Sequence, residues 1–262
     1  MCAYSLTFHQ KTSLPSVKDG SDKFLIFTYH MLSYPLGIAV LLLLLVAAKS
    51  ALHLHRARKL VQNARPYEQK GSRDGDRILF LGDSTACGVG ASSPVNSVAG
   101  LLGKSEPEVT IENRGHTGMR VKDLLQSFHP ESWERYQTIV IQIGSNDITH
   151  GTESIDLTLE LALLFDRASR VANNVVVLHG GNVGNAPIFP WPISAIMNRR
   201  TRKLRKIIRD LTKDSCITYI DLCDAEQQIT LEKNPTQWFA ADGFHPNDAL
   251  YSFWYTQLRG KI

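Results

Sequence analysis

Apolar and polar positions divide the chain into two regions with different patterns. Between residues 24 and 48 the only strongly polar side chain is His30, and Leu36–Ala48 is entirely apolar. Because a helix needs about 20 apolar residues to cross a bilayer, this region predicts one membrane helix over residues 24–54. We expect residues 1–23, which precede it, to be poorly ordered.

The charges around the apolar run favour an uncleaved anchor over a signal peptide. A signal peptide carries its basic residues before the run, whereas here most follow it: Lys49, Arg56, Arg58, Lys59 and Arg65. Three lysines and two aspartates precede the run, and no basic residue would precede it if Met31 were the start. By the positive-inside rule the rest of the chain lies in the cytoplasm. A cleaved leader with an exported or periplasmic domain remains the alternative.

The remainder of the chain predicts a polar linker and one folded domain. Residues 55–76 are basic, polar and rich in turn residues, as in a linker, so the domain is expected over residues 77–262. Apolar runs there predict five strands, Ile78–Leu81, Val109–Ile111, Thr138–Ile143, Asn174–Leu178 and Ile217–Leu222. Segments with helical period alternate with them, near Val95–Leu102, Val121–Ser127, Ile155–Ala172, Ile193–Leu211 and Asp248–Leu258.

This alternation determines the expected fold class. Strands that are apolar on both faces and separated by helices indicate a parallel sheet that is covered on both sides. We therefore predict an α/β protein with three layers and a doubly wound, five-stranded, flavodoxin-like sheet. In such sheets ligands bind beyond the carboxyl ends of the strands, so the residues that follow each strand are the first to consider.

Composition excludes some classes of function. The chain is 43% hydrophobic and 21% charged, with a formal net charge of +4, which is too small to indicate a nucleic-acid partner. Cys2, Cys87, Cys216 and Cys223 form no CxxC pair. We therefore expect reduced thiols and no zinc or other metal site.

Short polar segments follow the predicted strands. Ser84 lies in Gly82–Gly88, and a serine in a strand-to-helix turn exposes its hydroxyl and has its amide at a helix N-terminus. Asn113–Gly118 and Gly144–Asp147 follow the next two strands. Glycine allows a close approach of backbone to substrate, and asparagine can donate to an oxyanion. Each segment alone is also typical of an ordinary turn.

The fourth polar segment, near the C-terminus, pairs one histidine with an acid. Asp242 lies three residues before His245, ahead of the last predicted helix. An aspartate at this spacing can orient the imidazole through one ring nitrogen and leave the other to accept a serine proton. His116 and His179 also follow strands but have no acid at a helpful spacing, so we expect them to pack or to contact substrate.

Two residues beside Ser84 are predicted to have structural roles. Asp83 is expected to accept hydrogen bonds that brace the loop, and Cys87 is expected to pack in the interior, since no base is placed to activate its thiol.

Taken together and in this order, the four segments resemble the blocks of the SGNH hydrolases, also called the GDSL family of esterases and lipases. The similarity extends from Ile78 to about Tyr255, across nearly the whole predicted domain. The resemblance implies a catalytic triad in which Ser84 is the nucleophile, His245 the base and Asp242 the acid that orients it.

The resemblance also implies an oxyanion hole and a type of reaction. Its donors are the Ser84 amide, Gly118 and Asn146. Gly118 is chosen over Gly115 because the family's glycine usually follows an asparagine such as Asn113 by five residues. The implied activity is hydrolysis of an acyl ester through a covalent acyl-enzyme, with neither metal nor organic cofactor.

The segment after the fourth strand bears on the substrate. Ile188, Phe189 and Trp191 lie in a stretch rich in glycine and proline, and they suit an apolar wall for an acyl group or simple packing against the next helix. A lipid or lysophospholipid ester fits a membrane tether, whereas an O-deacetylase of sugars would prefer a polar pocket. A thioesterase and a membrane-bound binding module without activity are the other readings, and the sequence does not indicate the oligomeric state.

Overall fold

The computed structural model describes residues 20–73, 75–131, 135–226, 231 and 234–262. The chain divides into two compact units, Met1–Lys49 and Ser50–Ile262. Residues 1–23 were predicted to be poorly ordered. Of these, residues 1–19 lie outside the described residues, and residues 20–23 belong to a helix that begins at Gly20.

The N-terminal apolar region forms helix α1, Gly20–Asn63. Within it, Gly37–Asn63 is long and apolar enough to cross a membrane, with a mean hydropathy of 2.1 over its most apolar window. None of that window is buried in protein, and Leu41 and Leu44 are 57% and 62% exposed. A core helix of this composition would be buried, so the exposure is that of a membrane anchor or a signal sequence.

Five parallel strands form the sheet of the second unit, in the order β2-β1-β3-β4-β5. The strands are β1 Arg77–Gly82, β2 Thr110–Gly115, β3 Tyr136–Gln142, β4 Ala172–His179 and β5 Ile217–Asp221. Each overlaps a predicted strand, although β2 continues four residues past the predicted end at Ile111 and so includes Asn113. The predicted α/β, doubly wound sheet is confirmed.

Helices connect the strands on both sides of the sheet. They are α2 Val98–Ser105, α3 Val121–Ser127, α4 Ser145–His150, α5 Ser154–Val171, α6 Ile193–Thr212, α7 Leu222–Glu226 and α8 Asp248–Leu258. The short helices α4 and α7 were not predicted, because one or two turns are too few to show a helical period. Helix α4 lies between Gly144 and Gly151, which both have left-handed backbone conformations.

The core consists of two apolar layers that the sheet separates. Strand β1 contributes to both, because alternate side chains of a strand point to opposite faces. Leu79 and Leu81 pack with side chains of α3, α5 and α6, while Ile78 and Phe80 pack with those of α2 and α8. These layers are the three-layer arrangement that the apolar strands predicted.

The predicted linker differs from the structure. Residues up to Asn63 continue α1, and the compact unit begins at Ser50 rather than at 77. Further along, the backbone of Gln69 exchanges two hydrogen bonds with Ile111, of 3.0 and 2.8 Å. This bridge covers the outer edge of β2. Backbone pairing of this kind leaves no trace in side-chain polarity, which explains why the segment looked like a linker.

Candidate active site

The turn after β1 is built around a glycine. Gly82 has φ +151°, and a Cβ there would lie 1.8 Å from the carbonyl oxygen of Gln142 on β3. The chain can therefore leave the strand close to its neighbour only with glycine at this position. Asp83 donates its amide to that same carbonyl at 2.9 Å, and Val89 donates to the Ser84 carbonyl at 2.9 Å. These bonds hold Ser84 in a tight turn.

Three of the predicted site residues form a continuous chain of hydrogen bonds. The Ser84 hydroxyl oxygen lies 3.2 Å from Nε2 of His245, and Nδ1 of His245 lies 2.6 Å from Oδ2 of Asp242. All three residues are buried. A hydroxyl, an imidazole and a carboxylate in this order can pass the hydroxyl proton to the ring as the oxygen attacks an electrophile.

The environment of Asp242 keeps its carboxyl group ionised. Burial acts to raise its pKa, but the hydrogen bond and charge of His245 and two backbone amides outweigh burial and hold the pKa below its ordinary value. Those amides belong to Phe244 and His245 and bond Oδ1 at 3.0 and 3.1 Å. Because a carboxylate only accepts hydrogen bonds, the proton of the shared bond lies on Nδ1 and leaves Nε2 as the acceptor that faces Ser84.

Two buried polar residues support the serine turn. Oδ1 of Asp83 accepts hydrogen bonds from the amide and hydroxyl of Thr85, at 2.9 and 2.8 Å, as the predicted bracing role requires. Burial raises the pKa of Asp83 to about 6, although the two bonds from Thr85 oppose the shift. From β2, the side-chain amide of Asn113 donates to the Ala86 carbonyl at 2.9 Å. The structure thus gives Asn113 a role in supporting the serine turn, whereas the sequence analysis had used it only to locate Gly118.

The two other predicted oxyanion donors lie on adjacent segments. Gly118 is left-handed, with φ +78°, and apart from its chain neighbours no described residue has an atom within 4 Å of where its Cβ would be. Asn146, in the first turn of α4, donates one N–H of its amide to the Met119 carbonyl at 3.0 Å. This bond ties the Gly118 turn to α4 and leaves the second amide N–H for another acceptor. The preceding residue, Ser145, lines the same pocket as Ser84.

Asp147 fixes this arrangement from the other side, and the sequence analysis had assigned it no role. It is buried, and its two carboxylate oxygens accept bonds from the Val121 amide at 3.0 Å and the Thr152 hydroxyl at 2.9 Å. Burial raises its pKa despite these bonds. Its place beside Asn146 in the third block was the signal that could have identified it.

An apolar pocket opens beside Ser84 and His245, with about 30 Å³ of space for the centre of a water molecule. Its wall combines residues of the loop after β4 with residues from the last 25 positions of the chain: Gly180, Gly181, Asn182, Val183, Ala186, Phe239, Phe244, Pro246, Leu250 and Trp254. Phe244 could have been found from its position between Asp242 and His245. Trp254, on α8, follows no polar motif and gave no local signal.

The residues predicted to contact substrate are not among those that line this pocket. Trp191 is 82% exposed, and the Ile188 amide donates to the Gly243 carbonyl at 3.0 Å. Phe189 packs edge to face against Phe244, with ring centroids 5.8 Å apart, so it supports the wall from behind. Their role as substrate contacts stays a prediction.

Among the described residues, the histidine that bonds the Ser84 hydroxyl is His245, and not either alternative base. His179 is buried, with Nδ1 4.0 Å from the sulfur of Cys223, and burial lowers its pKa to about 4. His116 is exposed on the loop after β2. Burial, with the charge of Asp83, raises the pKa of Cys87 to about 12, which makes it a packing residue as predicted. Within the described part of the chain, no three His, Cys, Asp or Glu side chains could hold a metal ion.

Comparison with known proteins places this geometry in a family. The model of the GDSL-like lipase/acylhydrolase family matches residues 80–253. No curated protein matches the chain significantly.

Solved structures share the fold over most of their length. A lipolytic G-D-S-L family protein from Veillonella parvula is 18% identical, with 71% of this chain and 97% of that chain covered and a TM-score of 0.53. A lipase from a goat rumen metagenome is 16% identical, with 70% of this chain and 96% of that chain covered and a TM-score of 0.55. An acetylxylan esterase from Geobacillus stearothermophilus is 20% identical, with 72% of this chain and 93% of that chain covered and a TM-score of 0.51.

At these identities the solved structures establish the fold alone, whereas the family model covers most of the chain and includes the four polar segments at the ends of the strands and near the C-terminus. The chain belongs to the GDSL-like lipase/acylhydrolase family of ester hydrolases.

Proposed function

We propose that this protein is a membrane-anchored serine esterase that hydrolyses an acyl ester through a covalent acyl-enzyme. The observation that carries the proposal is the hydrogen-bonded chain from Ser84 through His245 to Asp242, with distances of 3.2 and 2.6 Å. It supplies a nucleophile, a base and a group that orients the base, at the edge of an apolar pocket.

In the first half of the reaction Ser84 Oγ attacks the ester carbonyl, and Nε2 of His245 takes the hydroxyl proton. Asp242 stabilises the imidazolium that forms and holds the ring in place through Nδ1. Negative charge develops on the carbonyl oxygen, where the Ser84 amide, the Gly118 amide and the free N–H of Asn146 donate to it. His245 then gives its proton to the departing alcohol, which leaves the acyl group on Ser84.

In the second half, water attacks the acyl-enzyme. His245 accepts a proton from that water and returns it to Ser84 as the carboxylic acid leaves. The residues on the chain supply every proton transfer in this scheme, and the scheme uses no cofactor.

The pocket supports an ester whose acyl group is longer than acetyl. Val183, Ala186, Phe244 and Trp254 present hydrocarbon beside Ser84, and such a wall stabilises an alkyl chain removed from water. A lipid or lysophospholipid ester would fit both features, because its acyl chain suits the apolar wall and the ester itself lies in a membrane. The second candidate is an O-deacetylase of sugars, for which the acetylxylan esterase with a similar fold is a precedent. A thioesterase would use the same residues.

Removal of the Ser84 hydroxyl tests the covalent step. Ser84→Ala should reduce turnover of a p-nitrophenyl ester to background and abolish labelling by a fluorophosphonate, with the thermal unfolding midpoint unchanged, because the hydroxyl carries the chemistry and little of the stability. Mass spectrometry of the wild-type protein should place the label on Ser84 and not on Ser145, which lines the same pocket. Exposed Ser127 provides the control, Ser127→Ala. Esterase activity in purified Ser84→Ala would sink the assignment, and a wild type without labelling would favour a binding module.

Asn146 should act on the transition state rather than on substrate binding. Asn146→Ala is expected to lower kcat by about 10²–10³ with little change in KM, the effect of losing one oxyanion donor. Because Asn146 also bonds the Met119 carbonyl, circular dichroism and thermal unfolding must show that the fold is intact. A change in KM alone would make it a substrate contact instead.

Gly180 offers a way to narrow the pocket. A Cβ there would meet Ser145, Trp254 and Thr85 atoms at 3.4 to 3.7 Å, which are ordinary contacts. Gly180→Ala should therefore fold and lower kcat/KM for an octanoyl ester by about tenfold relative to an acetyl ester. Gly260→Ala, where the added methyl group meets open space, is the matched control. Wild-type hydrolysis confined to acetyl esters, including acetylated sugars, would favour the deacetylase.

For the membrane we propose a single-pass anchor with the hydrolase domain in the cytoplasm, supported by the apolar stretch in Gly37–Asn63 and the basic residues after it. A C-terminal green fluorescent protein should fluoresce, and a C-terminal alkaline phosphatase should be inactive because it remains inside the cell. An active phosphatase fusion with a mature N-terminus near Lys49 would instead show a signal peptide and an exported enzyme.

A further inference from the structure

Two basic side chains from the end of α1 contact the turn that carries Asp242. Nδ1 of His53 lies 2.7 Å from the backbone carbonyl oxygen of Asp242, and the Arg56 guanidinium donates to the carbonyl oxygen of Ala241 at 3.1 Å. His53 and Arg56 belong to residues 50–63, the part of α1 inside the hydrolase unit, which we call the helix end. The two contacts join segments that are 189 and 185 positions apart in sequence.

The other carbonyl groups of this turn are bonded from within the domain. The Gly243 amide donates to the Ala240 carbonyl at 2.9 Å, and the Ile188 amide donates to the Gly243 carbonyl at 3.0 Å. The helix end therefore bonds the two carbonyl groups that lie between these, those of Ala241 and Asp242. Without it, the middle of the turn would have water as its partner in place of protein.

The sequence of the turn leaves room for the imidazole. Gly243 has φ +68°, and a Cβ at this position would lie 3.3 Å from Cε1 of His53 and 3.5 Å from its Nδ1. The ring thus lies against the backbone of the turn, in contact as well as in hydrogen-bond range. His53 is half-buried there, whereas the neighbouring His55 is exposed.

The bond from His53 acts on the residue that orients the catalytic base. A displacement of the Asp242 carbonyl would also move its carboxylate, because both belong to the same residue. The carboxylate holds the His245 ring through the contact of 2.6 Å between Oδ2 and Nδ1. A small displacement of a catalytic group is costly, because a shift of about 1 Å can lower a rate by about 10². A carbonyl oxygen only accepts, so Nδ1 of His53 must carry a proton, as it does in one neutral tautomer and in the imidazolium.

We propose that His53, assisted by Arg56, is a positioning residue of the active site and that the hydrolase domain is incomplete without the helix end. The inference rests on the proposed function, since the effect is on the Ser84, His245 and Asp242 reaction. His53 touches no reacting atom. It follows closely after the apolar run that ends at Ala48, so the segment that would anchor the chain continues into a segment that shapes the catalytic turn.

The test uses the full chain in detergent micelles and a short p-nitrophenyl ester. His53→Ala should lower kcat about tenfold and leave KM within about twofold, because the base is misoriented while the pocket is untouched. His53→Asn, whose side-chain amide can donate from near the position of Nδ1, should restore kcat to within about twofold of wild type. His55→Ala, the matched control, should behave as wild type.

A second measurement separates this inference from the proposed function. The proton that His245 shares with Asp242 should give a low-field NMR resonance, which His53→Ala should broaden or shift and His53→Asn should preserve. An inactive, unlabelled wild type in which His53→Ala still changes this resonance would overturn the proposed function alone. An active wild type with kcat and the resonance unchanged in His53→Ala would overturn the inference, as would equal losses in His53→Ala and His53→Asn.

Discussion

Strand β1 pairs in parallel with β2 on one side and with β3 on the other, and this pairing places the chemistry of the protein. Its register sets Gly82 opposite both Gly115 and Gln142. Because parallel strands end at the same edge, the segments after all three strands meet there, and each delivers one part of the site. The close approach of Gly82 to Gln142 then directs Ser84 into the turn that lies at that edge. A one-residue slip would turn every core side chain of β1 to the other layer.

The site is polar but buried, and its charges are held by specific bonds. Asp242 is fully buried, and His245 and two backbone amides keep its pKa below the ordinary value. The carboxylate of Asp83, also buried, accepts hydrogen bonds from Thr85 alone among the described residues, and burial raises its pKa to about 6. The two carboxyl groups differ in the hydrogen bonds and nearby charge that oppose burial, and burial itself raises the pKa of Asp83 more strongly. The Asp242 carboxylate, next to His245, therefore stays ionised to a lower pH than the Asp83 carboxylate, which lies in the serine turn.

Segments near the two ends of the chain contribute side chains to the candidate site at the edge of the sheet. Phe244, Leu250 and Trp254 come from the last turn and from α8, and they form much of the apolar wall beside Ser84. From the other end, His53 reaches the Asp242 carbonyl. In the proposed reaction the sheet therefore supplies the nucleophile and its surroundings, while the C-terminal segment supplies the base, the acid and much of the apolar wall. The helix end gives the turn that carries Asp242 a hydrogen-bonding partner, which connects the proposed anchor to the proposed reaction.

The sequence by itself determined the strands, the longer helices and the residues of the hydrogen-bonded chain, because apolar period and short polar motifs are local properties. Residue order along the chain also gave the fold class, since strands apolar on both faces must be covered on both sides. Only the tertiary structure decided which side chains line the pocket, where Trp254 is present and Trp191 is not. It also decided that residues 50–63 belong to the hydrolase unit. Contacts such as that of His53 with Asp242, 189 positions apart, depend on how whole elements pack, and no local pattern encodes that packing.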